Sequence, residues 1–283
     1  MSYKSLLLYA DGAARHTAVF DLGFRLADMF DAHVTGLNVY LPSYQAYAYY
    51  GEYPAWDGGA MEREDEEAQA VADRLRDEFQ QRASRFGAGT GEWRFMKGDI
   101  AQGIALNARY ADLVVMAQKD PDDEMSRGSA DLPAQVAMAS ARPVLVVPRI
   151  PGHDALGGHA VLAWNATREA TRAATSALAL LKRAQRVSIA VIDEGRRVDS
   201  AHGDEPGADA ALYLARHGVE AEVVQIPQGG ADVSDVLLAT VADHGADWLC
   251  MGAYGHSRWR EVVLGGTTYD VLRRMEIPTL LAC

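Results

Sequence analysis

The sequence predicts an α/β chain of two tandem domains, each a five-stranded, mostly parallel sheet with helices on both faces, and three observations carry that expectation. Short apolar runs alternate with segments whose apolar residues recur every three or four positions, the alternation that builds strand–helix–strand crossovers. The pattern is written twice. Ala111-Asp112-Leu113-Val114-Val115-Met116-Ala117 and Ala246-Asp247-Trp248-Leu249-Cys250-Met251-Gly252 begin 135 residues apart, at 111 and 246, and Pro143-Val144-Leu145-Val146 and Pro278-Thr279-Leu280-Leu281 keep that offset. Finally, the fourth strand of the second repeat ends at Gly252 and is followed by Gly255 and Gly265-Gly266, a spacing suited to aiming backbone amides past a strand end.

In chain order, the first strand covers Ser5 to Asp11 and is followed by a helix; the same pair recurs at Ala160 to Asn165, with Asp11 and Asn165 154 positions apart. The larger offset leaves about nineteen extra residues in the first repeat, within Tyr40 to Ala60. Tyr44, Tyr47, Tyr49, Tyr50, Tyr53 and Trp56 make this insert aromatic, suited to packing on its own domain or to covering a groove or partner. The acidic run Glu62 to Glu67 then opens a helix whose dipole favours it, and Ala68, Val71, Ala72, Leu75 and Phe79 form that helix's apolar stripe. Ala111 to Ala117 and Pro143 to Val146 close the first domain, 1–150, with Ser129 reading as a helix N-cap between them.

Pro151-Gly152-His153 and Gly157-Gly158 show no periodic pattern and mark a connector before the second domain, 158–283. There Val161–Trp164, Val187–Ile192, Ala221–Ile226, Trp248–Met251 and Thr279–Leu281 read as strands buried on both faces. Ala170 to Leu181 and Val233 to Val241 carry helical stripes, and a last helix spans Thr267 to Arg274. Crossovers in such a sheet are right-handed, and ligands bind beyond the carboxyl ends of its strands.

Composition narrows the function. A 283-residue chain with 49% hydrophobic and 23% charged residues builds folded cores, while a net charge of −12 without a basic block excludes general affinity for nucleic-acid backbones. Cys250 and Cys283 make no disulfide framework, and no apolar run reaches membrane-spanning length, so a cytoplasmic protein with no nucleic-acid or membrane partner is expected. The eight histidines include no pair at metal-binding helical spacing, and no G-x-S-x-G elbow is present.

Anion binding is therefore expected to be local, at the glycine loop. Gly252 and Gly255 are expected to turn with positive φ and to leave room for a ribose or phosphate, while Gly265 and Gly266 bring bare amides to the start of the last helix. Thr267 and Thr268 offer hydroxyls, and His256, Ser257, Arg258 and Arg260 are the nearest polar or cationic side chains. No Walker lysine follows. The alternative is a simple turn at Gly252–Gly255 and a flexible helix start at Gly265–Gly266.

The arrangement G-x2-G-x9-G between fourth strand and last helix resembles the ATP-binding loop of the universal stress protein family, with Gly266 where that family usually carries Ser or Thr. Trp164-Asn165-Ala166-Thr167 resembles the family's first-strand end, with Asn165 in place of a ribose-binding Asp, and Ala190-Val191-Ile192-Asp193 its second-strand end, where the Val191 backbone would read adenine. The resemblance covers both halves, as in tandem members. It implies an adenine nucleotide, ATP or AMP, with magnesium accompanying ATP, and a stress-response or signalling role; with no positioned general base and no clear pair of magnesium carboxylates in the sequence, at most slow hydrolysis is expected. In this family the last strands, ending here at Val146 and Leu281, resemble dimer seams, implying a pseudo-dimer of the halves and a possible homodimer.

The first repeat departs from the binding motif. Gln118-Lys119-Asp120 replaces the leading glycines, Ala130-Asp131 replaces Gly265-Gly266, and Asp120, Asp122, Asp123 and Glu124 would repel a triphosphate. The ligand is thus expected in the second half, through Asn165, Thr167, Val191, Gly252, Gly255, His256, Arg258, Gly265, Gly266, Thr267 and Thr268. A nucleotide-free interaction scaffold of the same fold is the competing reading.

Overall fold

A computed structural model describes residues 2–44, 58–86, 91–123, 125–126, 128–152, 156–193, 207–254 and 266–283, and the chain divides into two compact units, Tyr3–Ser129 and Ala130–Cys283, the latter with the first two residues. Most of the aromatic insert, including Tyr47, Tyr49, Tyr50, Tyr53 and Trp56, lies outside the described residues.

The first unit runs β1 (Ser5–Tyr9), α1 (His16–Phe30), β2 (His33–Tyr40), α2 (Gly58–Arg85), β3 (Glu92–Lys97), α3 (Ile100–Ala108) and β4 (Leu113–Ala117). Its strands lie in the order β3-β2-β1-β4, all parallel, with Leu6 opposite Val34 on one side and Leu113 on the other. The apolar stripes of α1 and α2 meet through Phe20 and Phe79, ring centres 5.5 Å apart and edge to face, and Trp93 lies 5.5 Å from Phe79. Gly36 in β2 makes that packing possible, because a Cβ there would stand 2.5 Å from the Trp93 ring.

The second unit runs α4 (Leu132–Ser140), β5 (Val144–Val147), β6 (His159–Ala163), α5 (Arg168–Leu181), β7 (Arg186–Asp193), α6 (Ala208–Arg216), β8 (Glu222–Pro227), α7 (Val233–Asp243), β9 (Trp248–Gly252), α8 (Thr267–Arg274) and β10 (Thr279–Ala282). Its strand order is β5-β10-β9-β6-β7-β8. The order 3-2-1-4 of the first unit thus recurs as 8-7-6-9. A local clasp recurs as well: Asp112 accepts from the Ser5 amide at 3.0 Å, and Asp247 accepts from the equivalent His159 amide at 2.6 Å.

Two features depart from the sequence reading. The second compact unit begins at Ala130, before the connector, and its strands show why: β10 lies between β9 and β5, and it pairs antiparallel with β5, Thr279 with Val146, Leu280 with Leu145 and Leu281 with Val144. That ladder is why α4 and β5 belong to the second compact unit, although the sequence begins its second repeat only after the connector at 151–158. Ser129 is also not the N-cap of α4. Asp131 holds that position, and Pro133 in the first turn fixes where the helix starts. Among the described residues no helix is long and apolar enough to cross a membrane.

Candidate functional site

The carboxyl ends of β6, β7 and β9 and the start of α8 supply the predicted site residues that are described: Asn165, Thr167, Val191, Gly252, Gly266, Thr267 and Thr268. Gly255, His256, Arg258 and Gly265 lie outside the described residues.

After β6 the chain makes a tight turn into α5. The Asn165 side-chain oxygen accepts from the Thr167 amide at 3.3 Å and from the Thr167 hydroxyl at 2.7 Å, and Ala166 between them is left-handed with φ 53°. Thr167 is then the N-cap, its hydroxyl accepting from the Ala170 amide at 3.3 Å. The first unit builds the same turn after β1: Asp11 accepts from the Ala13 amide at 3.0 Å, with Gly12 at φ 91°. Asparagine therefore replaces aspartate without losing the turn, and its amino group remains as a donor on an exposed side chain. Ala166 carries the steric cost of a left-handed L-residue, about 1 kcal/mol. Ala166→Gly is accordingly expected to stabilise the protein by up to about 1 kcal/mol, read as a rise of the thermal midpoint by roughly 2–4 °C.

Gly252 has a different role from the one its sequence position suggests. Its φ is not positive; it ends β9 against the first turn of α5, where a Cβ would stand 2.6 Å from the Glu169 carbonyl carbon and 2.7 Å from the Ala170 nitrogen. Close approach of strand to helix is what requires glycine here. The left-handed residue of this turn is Tyr254, at φ 56°. Glu169, 4% exposed, sits beside this contact with its carboxylate on the Arg168 guanidinium. Burial opposes its ionisation, but Arg168, the backbone amide and the Thr167 hydroxyl together hold its carboxyl below the usual range.

At the start of α8, Gly266 is in extended conformation, and among the described residues no side chain caps it and a Cβ on it would meet nothing within 4 Å. The first bond within the helix runs from the Asp270 amide to the Gly266 carbonyl at 3.1 Å, so the amides of Thr267, Thr268 and Tyr269 have no acceptor within the helix. Thr267 is half-buried there. Thr268 is not the free hydroxyl expected from sequence: it is buried, and its oxygen accepts from the Tyr254 amide at 3.2 Å, which ties the end of β9 to α8. Val191, buried in β7, pairs in register with Gln225 and packs against Gly207 at the start of α6.

Sequence reasoning missed Tyr254, Glu169 and Asp131. The Tyr254 hydroxyl faces Asp131 at 3.5 Å; burial first, and then the Asp131 carboxylate, push its phenol up to about 12, so it is a neutral donor at physiological pH. The signal available was a bulky residue between two glycines directly after a strand. Cys283, near Glu169, is raised to about 11 by burial and by that carboxylate, and buried Cys250 is raised by burial, so neither thiol is a nucleophile. Among the described residues the edge thus combines a helix end without a side-chain cap, an amide-bearing turn and a neutral phenol donor.

Comparison with known proteins agrees with this architecture. Residues 159–282 match the model of the universal stress protein family. A curated universal stress protein of Synechocystis is 55% identical over 71 residues, which span 25% of this chain and 24% of that protein. A crystal structure of a universal stress protein from Archaeoglobus fulgidus shares the fold over 98% of this chain and 95% of its own, with a TM-score of 0.71 at 16% identity. A protein of unknown function from Pseudomonas aeruginosa PAO1 does so over 99% and 92%, with a TM-score of 0.60 at 12% identity. The sequence likeness to the universal stress protein family thus rests on residues 159–282, and the likeness in fold extends over nearly the whole chain.

Proposed function

We propose that the chain is an adenine-nucleotide-binding stress-response or signalling protein of the cytoplasm and that the ligand is held by the second half. The observation that carries this reading is the start of α8 at the carboxyl edge of the sheet, where among the described residues no side chain caps the helix and none crowds Gly266, and three amides have no acceptor within the helix. Asn165 is placed to donate its amino group to a ribose hydroxyl, the Val191 backbone to read the base, and Thr267 with Gly255, His256, Arg258 and Gly265 to complete the phosphate loop. Magnesium would enter with ATP on its phosphates. The buried carboxylates of this edge, Glu169 and Asp131, are engaged by Arg168 and Tyr254, so neither is a free general base and hydrolysis is slow.

The same reading makes the chain a tandem duplication whose halves form a pseudo-dimer. In the β5–β10 ladder Leu145 pairs with Leu280, its own equivalent at the 135-residue offset, as an isologous two-fold contact requires. That seam alone would serve a nucleotide-free scaffold equally well, and one variant separates the two readings. Gly266→Asp places a carboxylate at a helix N-terminus whose backbone any residue can adopt, so it should leave the thermal midpoint unchanged or higher while weakening ATP binding at least tenfold. Calorimetric titration reads the affinity, and mass spectrometry of nucleotide released on denaturing the purified protein shows what it carries. No released adenine nucleotide, together with no ATP binding to either form, would leave the scaffold.

A further inference from the structure

We propose that the first half carries a built-in occupant of its own strand-edge cleft, the segment after β4, with Asp123 as a surrogate anion and Met125 as a plug. The cleft is the counterpart of the Asn165 turn: β1 ends at Tyr9, and Asp11, Gly12, Ala13 and Ala14 lead into α1. There the Asp123 carboxylate accepts from the Ala14 amide at 2.8 Å with one oxygen and from the Met125 amide at 2.9 Å with the other. The Met125 methyl lies over Gly12, 3.2 Å from where a Cβ would be, with Val71 at the same distance on α2.

The segment is held in place rather than draped. The Lys119 ammonium donates to the Ser126 carbonyl, the Asp120 amide to the Ser126 hydroxyl at 3.1 Å, and the Ser126 amide to the Asp123 carbonyl at 3.0 Å; Gln118 and Ser126 are both buried. The bond from Ala14 and then that from Met125 hold the Asp123 carboxyl below its usual range, against desolvation, with Lys119 adding to the effect, so the side chain is anionic at neutral pH.

The repeat explains why one half is closed. At the 135-residue offset Asp123 and Met125 stand where the second half has Arg258 and Arg260. One repeat has arginines at these sequence positions; the other has an anion and a thioether in their place. A phosphate entering the first cleft would have to displace both side chains and would lie beside a carboxylate.

This inference rests on the nucleotide reading of the fold, and the experiment keeps the two apart. MgATP is titrated into the full-length protein and into the Asp123→Ala/Met125→Ala variant, with circular dichroism confirming the fold. The number of sites is expected to rise by one, whether the unmodified protein shows one or none; a count of none in the unmodified protein tells against the second-half site, not against the plug. Hydrogen exchange at the Ala14 amide is expected to accelerate at least tenfold in Asp123→Ala and less in Asp123→Asn, which keeps one acceptor. Unchanged exchange at Ala14, or an unchanged site count in a folded double variant, would overturn the proposal. Should the double variant not fold, Asp123→Asn decides on exchange alone.

Discussion

Gly252→Val is expected to cost the protein about 3 kcal/mol or more, and Gly252→Ala about 1–3 kcal/mol, the range for forcing extra carbon into a packed interior. The reason is what the new atoms would meet. A Cβ at this position stands 2.6 Å and 2.7 Å from backbone atoms of Glu169 and Ala170, and 2.8 Å from the Glu169 Cβ. A flexible side chain could swing away, but the first turn of a helix moves only as a body. β9 cannot retreat either, because it is laddered to β6 through Leu249 and Val161 and to β10 from Leu249–Thr279 to Gly252–Ala282. Urea unfolding read by circular dichroism measures the loss. Since α5 carries the Asn165–Thr167 turn at its head, moving it also displaces the proposed ribose contact, and nucleotide affinity should fall with stability. A Gly252→Ala protein of full stability that had lost only affinity would restore the phosphate-facing role read from the sequence.

That contrast marks how far sequence reasoning carried. The strands Val161–Trp164, Val187–Ile192, Trp248–Met251 and Thr279–Leu281 fall within one or two residues of β6, β7, β9 and β10, because strands buried on both faces are written as unbroken apolar runs. The last helix, Thr267–Arg274, is framed by glycines before it and a proline after it, which leave its ends little freedom. β3 was harder to read, since Glu92, Arg94 and Lys97 interrupt its apolar residues as they do on an edge strand. α6 buries only Ala210 and Leu214, too few for a recognisable stripe. At the site, glycine spacing located the edge but not what each glycine does. Whether Gly252 faces a ligand or a helix depends on the approach of α5, a tertiary distance no local pattern encodes. The bond from the Tyr254 amide to Thr268 likewise joins residues fourteen positions apart across residues outside the description.

The seam between β5 and β10 yields the second large effect. Leu145 and Leu280 are both 0% exposed and stand directly opposite each other in an antiparallel ladder, so their side chains project to the same face. Truncating either to alanine removes three buried carbons and leaves a cavity, and each is expected to cost about 2–5 kcal/mol. The informative quantity is their coupling. In a double-mutant cycle, contacting residues interact by roughly 0.5–3 kcal/mol, whereas independent sites add to within about 0.5 kcal/mol. Leu145→Ala/Leu280→Ala should therefore fall short of the sum of its parts, because the second truncation removes contacts the first has already loosened. Additive losses would mean that β5 and β10 are joined by backbone bonds alone. A positive coupling between Leu145 and Leu280 would give the proposed duplication a direct energetic consequence: one leucine position, written twice, would hold against itself, each strand covering the edge its counterpart would otherwise leave bare.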